Sequence, residues 1–204
     1  MLNFKEIIRE IEAKTPQDIF NHFKESKWKA WVDEYLQESH GFSGDITCQG
    51  FWGGFQFILD HTSDWKPAEF PTCNIPEDRV IAAFGISTAV ANKLNRKIMA
   101  NFRKDTPKLF DRFGAIYNKG HFIAHAMGGP IDINLFPQIA HVNLGRSTEG
   151  KMFRSMEKYI TSHPGTFVFS RPVYGDFSEC PIALEYGYCE ANMEMVYKIF
   201  PNRP

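Results

Sequence analysis

The chain has 204 residues, 43% of them apolar and 23% charged, which is the composition of a soluble globular protein. Its formal net charge of −1 excludes a polycation, so a nucleic-acid surface would have to be a local basic patch. The four cysteines, Cys48, Cys73, Cys180 and Cys189, form no CxxC pair, which argues against a zinc ribbon.

Residues 1–14 alternate charged with apolar side chains and lack the apolar core of a signal peptide. No apolar run in the sequence is long enough to span a bilayer. We therefore expect no membrane association, and either a cytoplasmic protein or an effector exported without a cleaved signal peptide.

Two helices are predicted at the start of the chain. The first has apolar residues spaced along one face between Phe4 and Ile11. The second begins with Thr15 as N-cap and Pro16 at the first helical position, and carries a broad aromatic face up to about residue 39.

The middle of the chain gives weaker signals. Residues 40–78 are rich in Gly, Pro, Asp and Ser, which predicts loops around one strand at residues 55–59, "FQFIL". The residue pattern of 78–105 predicts a helix that is broken near residues 85–87. Residues 1–105 are thus predicted to be a mainly helical N-terminal region of unknown role, packed as one unit with residues 106–204.

From Phe113 onward the hydrophobic period shortens. Residues 113–127 predict a strand, a tight turn and a second strand, and a helix is clearest over residues 151–160, with a stop at His163-Pro164-Gly165. Three runs rich in β-branched and aromatic residues follow, at 166–176, 180–189 and 193–200. The C-terminal half is therefore predicted to be α+β.

Polar residues with catalytic chemistry gather between residues 118 and 157. His121 follows a glycine and has the ordinary pKa of a general base at neutral pH, although a packed or surface histidine is the alternative. The amides of Asn134, Gln138 and Asn143 are, taken singly, typical of turns and helix caps. Glu157, on the predicted helix, is equally compatible with a solvated charge.

His121 and His125 are four residues apart, a spacing that suggests a helical metal pair. No glutamate follows His121, however, and Gly128-Gly129-Pro130 would end such a helix at once. A zinc hydrolase would normally need three protein ligands, so His141 would have to join the pair. That zinc-dependent reading remains an alternative.

The order of these residues is more informative than any one of them. The chain reads "GHFIA" at 120–124, "GG" at 128–129, "NLFPQ" at 134–138, "NLG" at 143–145 and "FRSME" at 153–157. This series resembles the DNA/RNA non-specific endonucleases of the ββα-metal (His-Me finger) superfamily, especially the short bacterial versions found in toxin and effector proteins. The resemblance covers roughly residues 118–174.

The resemblance implies an α+β ββα-metal nuclease core with an antiparallel sheet over residues 106–204. It also implies a one-metal endonuclease acting on DNA, RNA or both. By position, His121 matches the general base, and Asn143 matches the ligand of a single Mg²⁺ or other divalent ion such as Mn²⁺. Asn134 and Gln138 match residues that brace the catalytic site and its substrate side, and Glu157 matches a carboxylate that orients water on the metal.

Three departures from the family pattern affect these expectations. The usual Asp-Arg before Gly-His is Asn118-Lys119 here, so Lys119 keeps a positive charge for catalysis and phosphate binding but loses the arginine fork. About six extra residues around "STEGKM" precede Glu157. Arg171, in "FSRPVYGD", would either bind phosphate or pair with an internal carboxylate.

One-metal hydrolysis of a phosphodiester by these residues is also chemically reasonable without the family resemblance. A histidine can deprotonate water while a hard cation neutralises charge on the phosphate and on the leaving 3′ oxygen. One neutral amide is a weak anchor, so the scissile phosphate would supply much of the metal's binding charge. The missing carboxylate cluster argues against a two-metal nuclease.

Sequence-independent binding would come from phosphate contacts, and the basic stretch at residues 93–119 predicts such a surface, with a solvated helix face as the alternative. A cognate immunity or inhibitor protein would accompany a toxin. The second reading of the whole chain is a catalytically inactive nucleic-acid- or partner-binding protein on the same scaffold.

Overall fold

The computed structural model describes residues 2–38, 45–50, 54–61, 78–89, 116–130, 133–176 and 178–204. Within these ranges the chain is α+β, with helices on both sides of an antiparallel sheet. None of the described helices is long and apolar enough to cross a membrane.

The N-terminal helices form where the sequence predicts them. They are α1 (Phe4–Glu10), α2 (Pro16–His22) and α3 (Trp28–Glu38), and a π-helical turn at Phe23–Lys27 joins the last two. Thr15 caps α2 as predicted: its hydroxyl accepts from the Asp18 N–H, and the Asp18 carboxylate accepts from the Thr15 N–H at 2.8 Å. This reciprocal capping satisfies two backbone donors that a helix start leaves open.

Six strands form one antiparallel sheet in the order β1-β2-β3-β6-β7-β8, and β4 pairs with β5 in a separate two-stranded sheet. Between β5 and β6 lie a short helix, α4 (Ala140–Asn143), and a longer one, α5 (Thr148–Ser162). The strands are β1 (Ile46–Gly50), β2 (Gln56–Asp60), β3 (Arg79–Ile86), β4 (Tyr117–His121), β5 (Leu135–Ile139), β6 (Phe167–Val173), β7 (Ala183–Cys189) and β8 (Met195–Pro201).

Each face of the large sheet is covered by a different layer. In β6, Phe167 and Phe169 belong to the cluster formed with α1, α2 and α3, whereas Val168 belongs to the cluster formed with α5 and the β4–β5 hairpin. This alternation follows from the two-residue period of a strand. The candidate catalytic residues therefore lie on the sheet face opposite the N-terminal helices.

Several predicted elements are confirmed. The strand at residues 55–59 corresponds to β2, the three C-terminal runs correspond to β6, β7 and β8, and the helix at 151–160 is the centre of α5. His163 is the C-cap of α5, as the predicted stop requires.

The prediction of helix at the start of residues 78–105 is wrong. Residues 79–86 form β3, whose side chains are buried from Arg79 to Gly85. A strand buried on both faces carries a continuous apolar run, and periodicity alone does not separate such a run from a buried helix. The described part of residues 1–105 holds helices α1, α2 and α3 and also supplies β1, β2 and β3 to the sheet.

The prediction of a second strand within residues 113–127 is also wrong. After β4 the chain enters a 3-10 turn at His125–Met127, and the partner strand of β4 is β5. The Gly-Gly turn and the buried amide of Asn134 dictate this path, as the hydrogen bonds below show. Most of the predicted basic stretch, residues 93–115, lies outside the described ranges.

Candidate functional site

The β4–β5 hairpin carries the first candidate residues. Asn118 pairs with Gln138 and His121 with Leu135, which fixes the register of the two strands. Lys119 and His121 are two residues apart on β4, so their side chains point to the same face. Lys119 is exposed and His121 is half-buried.

Asn134 fastens the loop that follows His121. Its Oδ1 accepts from the Ile123 N–H at 2.8 Å, and its Nδ2 donates to the carbonyls of Ile123 at 2.6 Å and Pro130 at 2.8 Å. The side chain has no exposed surface. Both ends of the amide are thus bonded to backbone, and Asn134 acts on the site by holding its loop rather than by touching a substrate.

Asn143 lies against the hairpin from α4. Its Nδ2 donates to Gln138 Oε1 at 2.8 Å and lies 3.4 Å from the Lys119 carbonyl oxygen. Gln138 is only 3% exposed, so it supports Asn143 from beneath and does not form part of the substrate surface. Since Nδ2 is held on the hairpin, Oδ1 is the amide atom of Asn143 left for a ligand.

Gly120 makes this arrangement possible. A Cβ at Gly120 would lie 2.4 Å from the Gln138 Cβ and 2.5 Å from its Oε1. Any other residue would displace the side chain that orients Asn143. The glycine before His121 is therefore required by close packing across the hairpin.

Helix α5 adds two charged groups. Arg154 Nη2 donates to the Asn143 carbonyl at 3.3 Å, and Arg154 and Glu157 share one side of α5 because they are three residues apart. Arg154 is not among the residues predicted from the sequence, where its three-residue spacing from Glu157 is the signal that indicates it.

Burial shifts the two candidate acid–base groups in opposite senses. It lowers the pKa of His121 to about 4, and charge on His125 contributes in the same direction. Burial raises the pKa of Glu157 to about 7, against the opposing influence of Arg154. Both shifts disfavour the charged form in a poorly solvated place. At neutral pH His121 is therefore an uncharged imidazole able to accept a proton.

The three histidines near the motif occupy different environments. His125 lies in the 3-10 turn with its Nδ1 2.7 Å from the Gly129 carbonyl oxygen, whereas His141 is exposed on α4. Across the described ranges, no group of three or more His, Cys, Asp or Glu side chains is arranged to hold a metal ion. The geometry therefore gives no support to a zinc site built on His121, His125 and His141.

Arg171 is used inside the protein. Its Nε lies 2.6 Å from Glu185 Oε2, its Nη1 lies 3.1 Å from Glu34 Oε2, and the residue is 6% exposed. Glu34 belongs to α3, so Arg171 faces the side of the sheet away from the hairpin. The sequence left two roles open for Arg171, phosphate binding and pairing with an internal carboxylate, and the structure shows the second. Arg171 is therefore not placed to bind substrate beside His121.

Comparisons with known proteins find little. No family model matches the sequence, and no curated protein matches it. Among solved structures, the Sda1 nuclease with bound zinc ion is 14% identical at a TM-score of 0.37, covering 86% of this chain and 67% of that one. An extracellular endonuclease is 12% identical at a TM-score of 0.36, covering 80% of this chain and 82% of that one. An extracellular nuclease is 11% identical at a TM-score of 0.31, covering 80% and 88%. These scores are too low to establish a shared fold.

Proposed function

We propose that the chain is a divalent-metal-dependent endonuclease that hydrolyses phosphodiester bonds of DNA, RNA or both with little sequence preference. The observation that carries the proposal is the held amide of Asn143, which lies against the strand that ends in His121. A neutral base on the hairpin and an oriented oxygen ligand held against the hairpin are the two parts that a one-metal hydrolysis requires. The hairpin followed by α5 would then be the ββα-metal core.

Asn143 is the residue that would hold the metal. Its Nδ2 is bonded to Gln138, which leaves Oδ1 as a neutral oxygen ligand of the kind that Mg²⁺ or Mn²⁺ accepts. Mg²⁺ retains several waters and needs few protein ligands, so a single amide fits it better than it fits zinc. When bound, the ion would neutralise charge on a non-bridging phosphate oxygen and on the leaving 3′ oxygen.

His121 would act as general base through Nδ1, because its Nε2 is shielded from solvent. The imidazole takes a proton from water, the water oxygen attacks phosphorus, and the P–O3′ bond breaks to leave a 5′-phosphate and a 3′ oxygen that takes a proton from solvent. Lys119, exposed on the same strand face, supplies positive charge to the phosphate. Glu157 would orient water through its carboxylate when ionised, and Asn134 keeps the loop after His121 in place.

The absence of sequence preference follows from the groups involved. Lys119 and the metal would both bind phosphate, which is the same in every nucleotide. The role as an antibacterial toxin or defence effector, with a cognate inhibitor, rests on the sequence resemblance. Purification of a tight complex with the product of an adjacent gene would support the toxin role.

The proposal is tested by incubating the protein with supercoiled plasmid, single-stranded DNA and RNA, each with Mg²⁺, with Mn²⁺ and with excess chelator. We expect cleavage of at least one substrate with metal and none with chelator. Binding without cleavage under every metal condition would instead identify the inactive nucleic-acid-binding protein.

A further inference from the structure

His125 has a ring nitrogen with no role in the mechanism above. Its Nδ1 lies 2.7 Å from the carbonyl oxygen of Gly129. A carbonyl can only accept, so Nδ1 carries the proton of the neutral ring and Nε2 is a bare acceptor. Only glycine fits at position 129, because a Cβ there would lie 2.1 Å from the Ile123 carbonyl oxygen.

That bare acceptor is buried. Among the residues that the structure describes, none donates a hydrogen bond to His125 Nε2, which is shielded from solvent. A buried acceptor without a donor is costly, and native proteins seldom keep one without a use.

His121 presents the complementary group. Its Nε2 is also shielded, and no partner for it occurs in the described part of the chain. A base that takes a proton at Nδ1 must carry its own proton on Nε2, since a neutral imidazole has one of each. The working tautomer of His121 is therefore a buried donor that needs an acceptor.

The two rings are within electrostatic reach of each other. Charge on His125 contributes to the lowered pKa of His121, behind the larger effect of burial. The segment between them is pinned at Ile123, whose N–H and carbonyl both bond to the Asn134 side chain. The backbone between the two histidines is thus fixed by hydrogen bonds to Asn134.

We propose that His125 is a positioning residue that accepts the Nε2 proton of His121 through one bridging water. This holds His121 in the tautomer whose Nδ1 is free to act as base. The Gly129 carbonyl sets the tautomer of His125, and His125 in turn sets the tautomer of His121. The catalytic meaning of the pair depends on the proposed nuclease function, but the tautomer of His121 does not.

The tautomer is measured first, by NMR of the ¹⁵N-labelled protein at pH 7 without nucleic acid. We expect the His121 proton on Nε2 and the His125 proton on Nδ1. Two variants then separate the nitrogens of His125. His125→Asn keeps a donor near the Nδ1 position but removes the distal acceptor, and His125→Gln places an acceptor near the Nε2 position. His22→Asn, on the opposite side of the sheet, is the control.

With His125→Asn we expect the His121 tautomer to become mixed. We also expect kcat to fall about 10-fold or more with KM little changed, whereas His125→Gln stays closer to wild type. A wild-type His121 that carries its proton on Nδ1 overturns the inference. So does a folded His125→Asn variant with unchanged tautomer and kcat. If the tautomers are as expected but the protein cuts nothing, the pairing stands and the nuclease proposal fails.

Discussion

At the scale of single residues, the orientation of Asn143 depends on one buried partner. Replacing Gln138 with leucine removes the acceptor for Asn143 Nδ2, so the amide can rotate away from the position we assign to the metal. We expect the Mg²⁺ concentration for half-maximal cleavage to rise about 10- to 100-fold, the usual cost of losing a partner that orients a ligand. Initial rates across a Mg²⁺ titration measure this.

Gln138→Glu is the matched control for this substitution, because it keeps an oxygen acceptor in the same place. Its Mg²⁺ requirement should remain near that of the wild type. Equal Mg²⁺ dependence of the leucine variant and the wild type would show that Asn143 is not oriented by Gln138 for metal binding.

Glu157 gives a prediction about stability and pH. Its pKa is raised to about 7 in the folded protein from an ordinary value of 4.5, so the fold is favoured at low pH and loses that contribution as pH rises from 4.5 through 7. Glu157→Gln, which is uncharged at every pH, should therefore match the wild type at pH 4 and exceed it at pH 8 by up to about 3 kcal/mol.

Urea denaturation at both pH values, with chelator present, measures the free energy of unfolding of Glu157→Gln. Glu149→Gln is the control, because Glu149 is exposed at the start of α5 and its pKa is lowered by a hydrogen bond from its own backbone N–H. It should give no stabilisation at pH 8. A Glu157→Gln protein no more stable than the wild type at pH 8 would contradict the raised pKa of Glu157.

A site residue can be predicted from the sequence when it belongs to a local motif, and cannot when its role depends on a contact made only in the folded chain. His121 and Asn143 belong to a local ordered motif, so their candidacy could be inferred without a structure. Arg154 and His125 matter through a backbone carbonyl that each one meets, and carbonyl positions are set by folding. The internal pairing of Arg171 depends on Glu34, which lies far away in sequence.

At the scale of elements, the hairpin depends on the three hydrogen bonds of Asn134. Asn134→Ala would leave the Ile123 N–H and the carbonyls of Ile123 and Pro130 without these bonds in a buried place. We expect a loss of roughly 2–4 kcal/mol in the free energy of unfolding. Asn192→Ala, at an exposed turn before β8, should change it by less than about 0.5 kcal/mol. Equal unfolding midpoints in urea for the two variants would refute this role for Asn134.

Prediction of elements succeeded where local chemistry is decisive. Thr15, Pro16 and the His163-Pro164-Gly165 stop mark helix ends through capping and missing donors, which are local effects. The prediction was wrong at β3 because the strand's identity depends on the layers packed on both of its faces. The prediction of a strand at His125–Met127 was wrong because Asn134, later in the chain, determines the path of this segment.

At the scale of the whole molecule, strands from both sides of the predicted boundary at residue 105 share one sheet, since β3 pairs with β6. Sheet order joins distant parts of the chain and cannot be read from local pattern. Helices α1, α2 and α3 cover the face that holds Phe84, Phe167 and Phe169.

Deletion of residues 2–38 should therefore prevent the rest of the chain from folding, because these helices are part of its core. It exposes the aromatic face of β3 and β6, and each large apolar side chain contributes about 1.5–3 kcal/mol by burial. We expect aggregation or a loss of cooperative thermal unfolding, checked by size-exclusion chromatography and circular dichroism. A soluble, cooperatively folding fragment 39–204 would show that the helices are dispensable.

The central claim, that His121 is the base of a metal-dependent nuclease, is tested most directly by plasmid cleavage with His121→Ala under saturating Mg²⁺. We predict a rate about 10²- to 10⁴-fold below that of the wild type, with unchanged circular dichroism and thermal midpoint. Added imidazole should restore part of the loss, and His22→Ala should cleave like the wild type. A folded His121→Ala protein that cleaves at the wild-type rate would contradict the claim.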